Sequence, residues 1–296
     1  MMTPEEAFQS ARPRLWGLAY RMLGSAADAE DAVQDTYLRW QAADRSAIDK
    51  PDAWLTTACT RRCIDLLRAA HRVRVDYVGP WLPEPIVAAV GNEPADEATD
   101  AIELADSLST AFLLLLERLT APERAAFLLH DVFDYDYREV AAALDKSEEA
   151  CRKLVSRARK RVGTSEARFR PEPERQRRLL ESFLEALRSG APERLEKALA
   201  EDIEFWADSG GKVIAARRVL CGARTVARFL DGVWRASWHR YDFLAAEVNG
   251  GPGLVLREAG DTVGVLSIAM GDDGRIAGIF VVRNPDKLGP PVVSST

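Results

Sequence analysis

The apolar residues of this chain change their period once, near residue 200, and that change excludes a fold built from one kind of layer. Before it they recur every three to four positions: Phe8, Leu15, Leu18, Ala19 and Met22, then Ala29, Ala32, Val33, Tyr37 and Trp40, then Trp54, Leu55, Ala58, Ile64 and Leu67. That spacing lines one face of a helix, so residues 5–72 read as helices broken at Gly24-Ser25 and at Asp49-Lys50-Pro51. Residues 102–119 read as a strongly apolar helix and 174–199 as two more. From Asp202 the pattern alternates, as in Ile203 and Phe205, which predicts strands at 213–219, 240–248, 253–258, 262–270 and 275–283 around a helix at 222–235. Asn249-Gly250-Gly251 and Gly271-Asp272-Asp273-Gly274 read as hairpin turns. A helical part followed by an α+β part with a curved antiparallel sheet is the expected architecture, and 296 residues suit two or three domains.

Charge is distributed unevenly behind a formal net charge of −6. Residues 77–110 hold seven acids and no base, with several prolines and glycines in 77–101, so this stretch reads as a linker. Six bases and no acid lie between Ala150 and Val162, and six bases with two acids between Lys50 and Val75. Two basic patches flanking an acidic segment point to nucleic acid more than the average charge suggests. No apolar run is long enough to span a bilayer, and the polar, acidic start MMTPEEAFQS is no secretory signal; a cytoplasmic protein is expected.

The second basic patch has a defined context. Thr120-Ala-Pro-Glu123 and Asp136-Tyr-Arg-Glu139 are capping boxes, and Ser147 is an N-cap candidate before Glu148 and Glu149. A short helix from Arg138 to Leu144, a turn at Asp145-Lys146-Ser147, and a helix from Glu148 to Val162 follow a helix-turn-helix plan. Ala150, Leu154, Ala158 and Val162 make one apolar stripe, leaving Arg152, Lys153, Ser156, Arg157, Arg159 and Lys160 to face a major groove. A solvated cationic surface helix would show the same run. In the first patch Trp54 precedes Arg61, Arg62, Arg68, Arg72 and Arg74, a mix of aromatic and cationic groups suited to single-stranded DNA; a core tryptophan with snorkelling arginines is the plainer reading. Asp28, Glu30, Asp31 and Asp35 give the preceding helix an acidic face.

Several strings then carry a family resemblance. Asp28-Ala-Glu-Asp-Ala-Val-Gln-Asp-Thr-Tyr-Leu-Arg-Trp40, Pro51-Asp-Ala-Trp-Leu-Thr-Thr57 and Cys63-Ile-Asp-Leu-Leu-Arg68 resemble region two of a bacterial sigma factor. Leu119-Thr-Ala-Pro-Glu-Arg124, Leu129-His-Asp-Val-Phe133, Glu139-Val-Ala141 and Cys151-Arg-Lys-Leu-Val-Ser-Arg-Ala-Arg159 resemble region four. Trp81-Leu82-Pro83-Glu84-Pro85, Asp208-Ser-Gly210-Gly211-Lys212 and Asn284-Pro285-Asp286-Lys287-Leu288 resemble the SigJ-like group of extracytoplasmic-function (ECF) sigma factors, which carry a fused SnoaL-like domain. Ser209 stands where that group tends to have a third glycine, and Asp145 where glycine is common in the helix-turn-helix turn.

The resemblance implies two all-α sigma domains, the second with the helix-turn-helix, then a SnoaL-like, NTF2-like, cone-shaped curved-sheet domain. The expected boundaries are 1–76 for region two, 77–101 for the linker, 102–163 for region four, 164–173 for a second linker, 174–290 for the SnoaL-like domain and 291–296 for a tail. It implies a sigma factor that directs core RNA polymerase to promoters and is regulated in cis by its C-terminal domain. Asp28, Asp31, Gln34 and Asp35 would meet the clamp of the β′ subunit, and region four the β flap. Trp54, Arg61, Arg62 and Arg68 would meet the minus-ten element, and Arg152, Lys153, Ser156, Arg157, Arg159 and Lys160 the minus-thirty-five element. The linker would thread the path of nascent RNA. The three motif strings are the interdomain candidates, and no separate anti-sigma factor is implied.

Other readings of the C-terminal half stay open. Phe205, Trp206, Phe229, Trp234 and Trp238 either line a pocket or fill a core. Asp208, His239 and Asp242 are acid–base candidates, which keeps a small-molecule enzyme in view beside a ligand-sensing helix-turn-helix factor. Cys59 and Cys63, with His71 eight residues on, make half a metal site with no second pair, so no metal, cofactor or catalytic residue is expected. Cys151 and Cys221 read as small buried hydrophobes.

Overall fold

The computed structural model describes residues 3–44, 48–74, 77–90, 109–163 and 173–289. Helix α1 (Pro4–Leu23) starts at a capping box in which the Glu6 amide donates to Thr3 Oγ1 and the Thr3 amide to Glu6 Oε2. It ends where Gly24 turns left-handed at φ 70°. Ser25 then caps α2 (Ala26–Ala42), and α3 (Pro51–Arg74) follows. Two short apolar helices come next, α4 (Thr110–Glu117) and α5 (Ala121–Phe127), the latter extended by a π-helical turn at 128–132. Helix α6 (Tyr137–Leu144) is closed by its Asp136/Glu139 capping box and stopped by Asp145 at φ 53°, ψ 54°. The aspartate therefore accepts the left-handed conformation that glycine usually supplies. Ser147 caps α7 (Glu148–Val162).

The helical half does not separate into two cores. Leu15, Leu18 and Met22 of α1 and Leu55 and Cys59 of α3 pack in one apolar cluster with Phe112, Leu116, Phe127 and Leu128. The buried face of α7 is Cys151, Leu154, Val155, Ala158 and Val162, with Ala150 only half-buried. The expected stripe is thus rotated toward Cys151 and Val155.

The C-terminal half has α8 (Pro173–Arg188), α9 (Pro192–Ala198) and α10 (Ala223–Ala236) around β2 (Leu199–Asp208), β3 (Leu220–Cys221), β4 (Asp242–Val248), β5 (Gly251–Glu258), β6 (Asp261–Met270) and β7 (Ile276–Val282). With β1 (Val87–Val90) these form one mixed sheet in the order β1-β4-β5-β6-β7-β2-β3. Only β2 and β7 pair in parallel. Period two divides the sheet into two faces. One carries Ile203, Phe205, Leu256, Leu266 and Ile279 against Phe183 and Leu230 of the helices. The other carries Phe280 and Val282 against Leu82 and Ala111, and Val255 and Val265 against Val87 and Leu288. The sheet is the middle layer between its own helices and the N-terminal half.

Three expectations are corrected. Residues 213–219 form no strand; only Leu220 and Cys221 pair, with Phe205 and Glu204, because the loop is drawn off the sheet by the glycine turn at 210–211. The segment 77–90 is no free linker: Leu82 and Val87 pack on the sheet, Ile86 joins the helical core, and Val87–Val90 adds an edge strand to β4. Cys221 is exposed, since its two-residue strand lies at the sheet edge. The acidic run 91–108, and with it the start of the helix expected at 102, lies outside the described residues, as do 164–172 of the second linker and the tail at 291–296.

Candidate nucleic-acid interface and the junctions that hold it

Helix α7 presents its cations in one place, and most of them are already paired. Arg159 reaches Asp131 through two hydrogen bonds of 2.8 and 2.7 Å. Arg157 and Arg161 lie 3.2 and 2.6 Å from the two oxygens of Glu123, whose side chain is 3% exposed. Burial pushes the Glu123 carboxyl up, but Thr120 and the two guanidinium groups more than offset it, so it titrates below the ordinary carboxylate range. Arg152 pairs with Glu148 at 3.0 Å and lies over the Tyr137 ring; Lys153 pairs with Glu149 at 2.7 Å. Arg152, Ser156, Arg159 and Lys160 line one shallow groove with His130 and Tyr137. The expected groove-reading residues are therefore brought together, with acids of the same chain on their charges.

The α3 residues have a different fate. Trp54 is half-buried against Trp40, with ring centroids 5.4 Å apart, so its plainer reading as a packing residue holds in this arrangement. Arg61 donates 3.0 Å hydrogen bonds to the carbonyls of Ala143 and Ala142, at the end of α6. A guanidinium there answers the last carbonyls and the negative end of the helix. Arg62 pairs with Asp35 at 2.6 Å, and Arg68 with Asp65 at 3.6 Å. Asp28, Asp31 and Gln34 remain exposed on α2. Further contacts tie the helical units: Arg124 donates to the Met22 carbonyl at 2.6 Å and pairs with Glu117, and Thr56 Oγ1 meets the Tyr135 hydroxyl at 2.9 Å.

The three motif strings converge on one buried carboxylate. Asp208, at the end of β2 and fully buried, accepts from the Tyr77 hydroxyl, from the Leu82 amide at 2.9 Å and from Lys287 Nζ at 2.8 Å. Lys287 also donates to the Leu82 carbonyl at 2.6 Å and lies 4.3 Å from the centre of the Trp81 ring. Asn284 caps the short turn Pro285–Lys287 and donates to Tyr77, while Lys212 pairs with Asp286. Burial and the Asp208 carboxylate push the Tyr77 hydroxyl well above its ordinary value, so it stays a donor. Two glycines are needed here. A Cβ on Gly210 would lie 2.6 Å from Asn284, and one on Gly211 3.0 Å from Val78, both at positive φ. Ser209 fills its departure from the group pattern as a local brace, accepting from the Gly211 amide.

A second buried junction was not foreseen. Asn249, in the β4–β5 turn at φ 51° and 2% exposed, accepts from the Ile86 amide at 2.8 Å and from the Tyr20 hydroxyl at 3.2 Å. Its amide nitrogen donates to Thr110 Oγ1, which also meets Ser267 Oγ at 3.0 Å. One side chain thus joins α1, the 77–90 segment, α4 and the sheet. Glu84 completes the link: its carboxylate accepts from the Ala26 amide at 2.7 Å, its amide donates to the Gly24 carbonyl, and its own carbonyl accepts from Tyr20. The dipeptide Asn-Gly signals a turn, and that signal hid the role of its side chain.

The acid–base candidates do not assemble. Asp208 faces the N-terminal half, whereas His239 is exposed and bonded to the Trp234 carbonyl, and Asp242 is exposed. Phe205, Phe229, Trp234 and Trp238 pack on the helix-covered face, while Trp206 lies on the other. Among the described residues no three potential ligands cluster around a metal position. Cys59 and Cys63 are buried; the neighbouring thiol and burial push Cys63 above its ordinary value. No described helix is long and apolar enough to cross a membrane.

Residues 7–73 match the sequence model of sigma-70 region 2, and residues 109–162 that of sigma-70 region 4. With the full-length relatives that follow, these matches show that the chain belongs to the ECF RNA polymerase sigma factors. It is 34% identical to the ECF RNA polymerase sigma factor SigJ of Mycobacterium tuberculosis, across 96% of this chain and 93% of that protein. It is 31% identical to the probable ECF RNA polymerase sigma factor SigI of the same species, across 96% and 94%. The crystal structure of Mycobacterium tuberculosis SigJ superposes with a TM-score of 0.75 at 32% identity, covering 95% of this chain and 96% of that one. Its work is that of a sigma factor, which directs core RNA polymerase to promoter DNA.

Proposed function

We propose that this sigma factor is held closed by its own C-terminal domain, and that polymerase and promoter compete with the contacts that hold it. The observation that carries the reading is Asn249 of the C-terminal domain, which bonds Tyr20 of α1 and Thr110 of α4 at once and so ties the two helical units together. In that arrangement the Arg61 guanidinium, on the helix expected to meet the minus-ten strand, engages the carbonyls of Ala142 and Ala143 instead. Phosphate and helix end compete for one cation. The same logic applies to Arg157, Arg159 and Arg161, each held by Glu123 or Asp131. On polymerase, Asp28, Asp31, Gln34 and Asp35 meet the clamp of the β′ subunit and the α4–α7 unit meets the β flap. Trp54, Arg61, Arg62 and Arg68 then engage the minus-ten element and the exposed face of α7 the minus-thirty-five element. The strings 81–85, 208–212 and 284–288 are the regulatory contacts, and the C-terminal domain acts by docking, without catalysis. A closing element within the chain takes the place of a separate anti-sigma protein.

The test is run-off transcription on fragmented genomic DNA with bacterial core polymerase. The full chain yields transcript starts that share two upstream boxes; Asn249→Ala raises their number, and Asp31→Lys lowers it. Arg61→Ala opens the chain yet initiates poorly, whereas Arg61→Lys keeps more of the phosphate contact. Equal output from the full chain and Asn249→Ala would overturn cis inhibition.

A further inference from the structure

Between the C-terminal end of α4 and the outer face of the sheet lies a cleft of about 780 Å³. Trp206 and Phe280 form its floor, Leu114 and Leu115 of α4 its wall, and Trp81 one end. The space exists because Ala269 and Gly278 lie under the aromatic rings. A Cβ on Gly278 would come 2.7 Å from Phe280 Cζ, so this position cannot grow to fill the gap. The Trp206 indole N–H is held by Glu204 Oε2 at 3.1 Å, which fixes the ring at the floor. The volume falls within the range of small-molecule sites, about 300–1,000 Å³, and it sits at a junction of domains where such sites occur. Its charge is one-sided. Of the lining acids Glu117 pairs with Arg124 and Asp273 lies 3.9 Å from Arg275, so the negative side rests on Asp202, Glu204 and Asp272, with Arg118 the one base in the lining.

We propose that this cleft binds an amphipathic organic cation, a flat aromatic body carrying an amine or quaternary ammonium group, and that the ligand fastens the docked state. Aromatic faces attract desolvated cations, and carboxylates at the rim select against phosphate or carboxylate ligands. Because one wall is α4, one end is Trp81 and the floor is the sheet, a ligand seated here touches all three parts at once. It binds the docked arrangement better than the opened one and shifts the population toward it. The binding claim stands on the cleft alone; the regulatory claim rests on the cis-inhibition reading above.

The test is isothermal titration calorimetry of the full chain with (1-naphthylmethyl)trimethylammonium, with 1-naphthalenesulfonate as the anionic counterpart. The cation binds at one site, at least tenfold tighter than the sulfonate. Asp202→Asn weakens it several-fold. Ala269→Leu, which fills the cleft, abolishes it while the thermal midpoint stays within a few degrees. No binding at millimolar probe, equal binding of the two probes, or undiminished binding by a folded Ala269→Leu protein would overturn the site. Hydrogen exchange of residues 81–86 and 110–117 slows with the cation bound. Run-off transcription with the full chain and with Ala269→Leu then separates the claims: binding without loss of transcripts removes the inhibition reading and leaves the site.

Discussion

The two junctions between the parts of this molecule are built from different materials. Between the helical units, α1 and α3 share an apolar core with α4 and α5, through Leu55, Cys59, Phe112, Leu116 and Phe127. Between the helical half and the sheet, the apolar contact is smaller, Leu82 and Ala111 on Phe280 and Val282 and Val87 on Val255 and Val265, and two buried polar side chains, Asn249 and Asp208, set the fit. Opening the first exposes apolar surface at about 25 cal/mol per Å², an unfavourable cost wherever the parts move. Opening the second exchanges protein hydrogen bonds for water, at about 0.5–1.5 kcal/mol net for each. The second therefore parts cleanly once the geometry is lost, and is sensitive to a single side chain. The first needs a partner surface to replace what it hides.

That contrast can be broken most severely at Asp208. Asp208→Ala leaves the buried Leu82 amide without its acceptor and Lys287 without its carboxylate, though Lys287 keeps the Leu82 carbonyl; removing one partner of a buried pair costs about 3–5 kcal/mol at most. Calorimetry on the full chain checks it; a loss under about 1 kcal/mol, the size of a surface pair, would mean that this junction is already open in solution. Asn249→Ala is expected to cost about 2–3 kcal/mol, through the unsatisfied Ile86 amide and Thr110 hydroxyl. Hydrogen exchange should quicken in 84–87 and around Thr110 while α2 keeps its protection. Spread of the effect to α2 would show the two junctions to be one cooperative unit.

Gly24→Ala sharpens the comparison at a smaller scale. Its Cβ would meet Trp81 at 2.6 Å in a left-handed conformation, and such strain costs about 1–3 kcal/mol. Trp81 should become more accessible to acrylamide quenching, with the α1–α3 core intact. The smallest effect concerns Glu123, held by Thr120, Arg157 and Arg161. Its folded pKa lies below the unfolded value, so the stability it adds is present above pH 4.5 and fades as pH falls through the lower folded value. Glu123→Gln should flatten the fall of thermal midpoint below pH 4.5; an unchanged acid limb would assign that fall to other carboxylates.

Much of this was legible in the chain itself. Helix spacing, capping boxes and the helix-turn-helix turn follow from local chemistry: Thr120 with Glu123, Asp136 with Glu139, Asp145 at its left-handed turn. The change of period near residue 200 announced the sheet, because alternation is a property of each strand alone. The basic faces were legible for the same reason. What no local signal carried was the partner of each surface. Tyr20, Asn249, Thr110 and Ser267 come from four separate segments, and each alone reads as an ordinary helix, turn or strand residue. The acidic segment before α4 read as a linker since its composition is polar. Its described part, 77–90, became a layer and an edge strand because the outer face of the sheet offered Phe280, Val282, Val255 and Val265 to Leu82 and Val87. Sequence alone decided most of the helices, the main strands and the charged faces, because those choices depend on neighbours a few positions away. Tertiary structure decided which charges are engaged and which faces are hidden, because a buried hydrogen bond has its energy only when distant segments close around it.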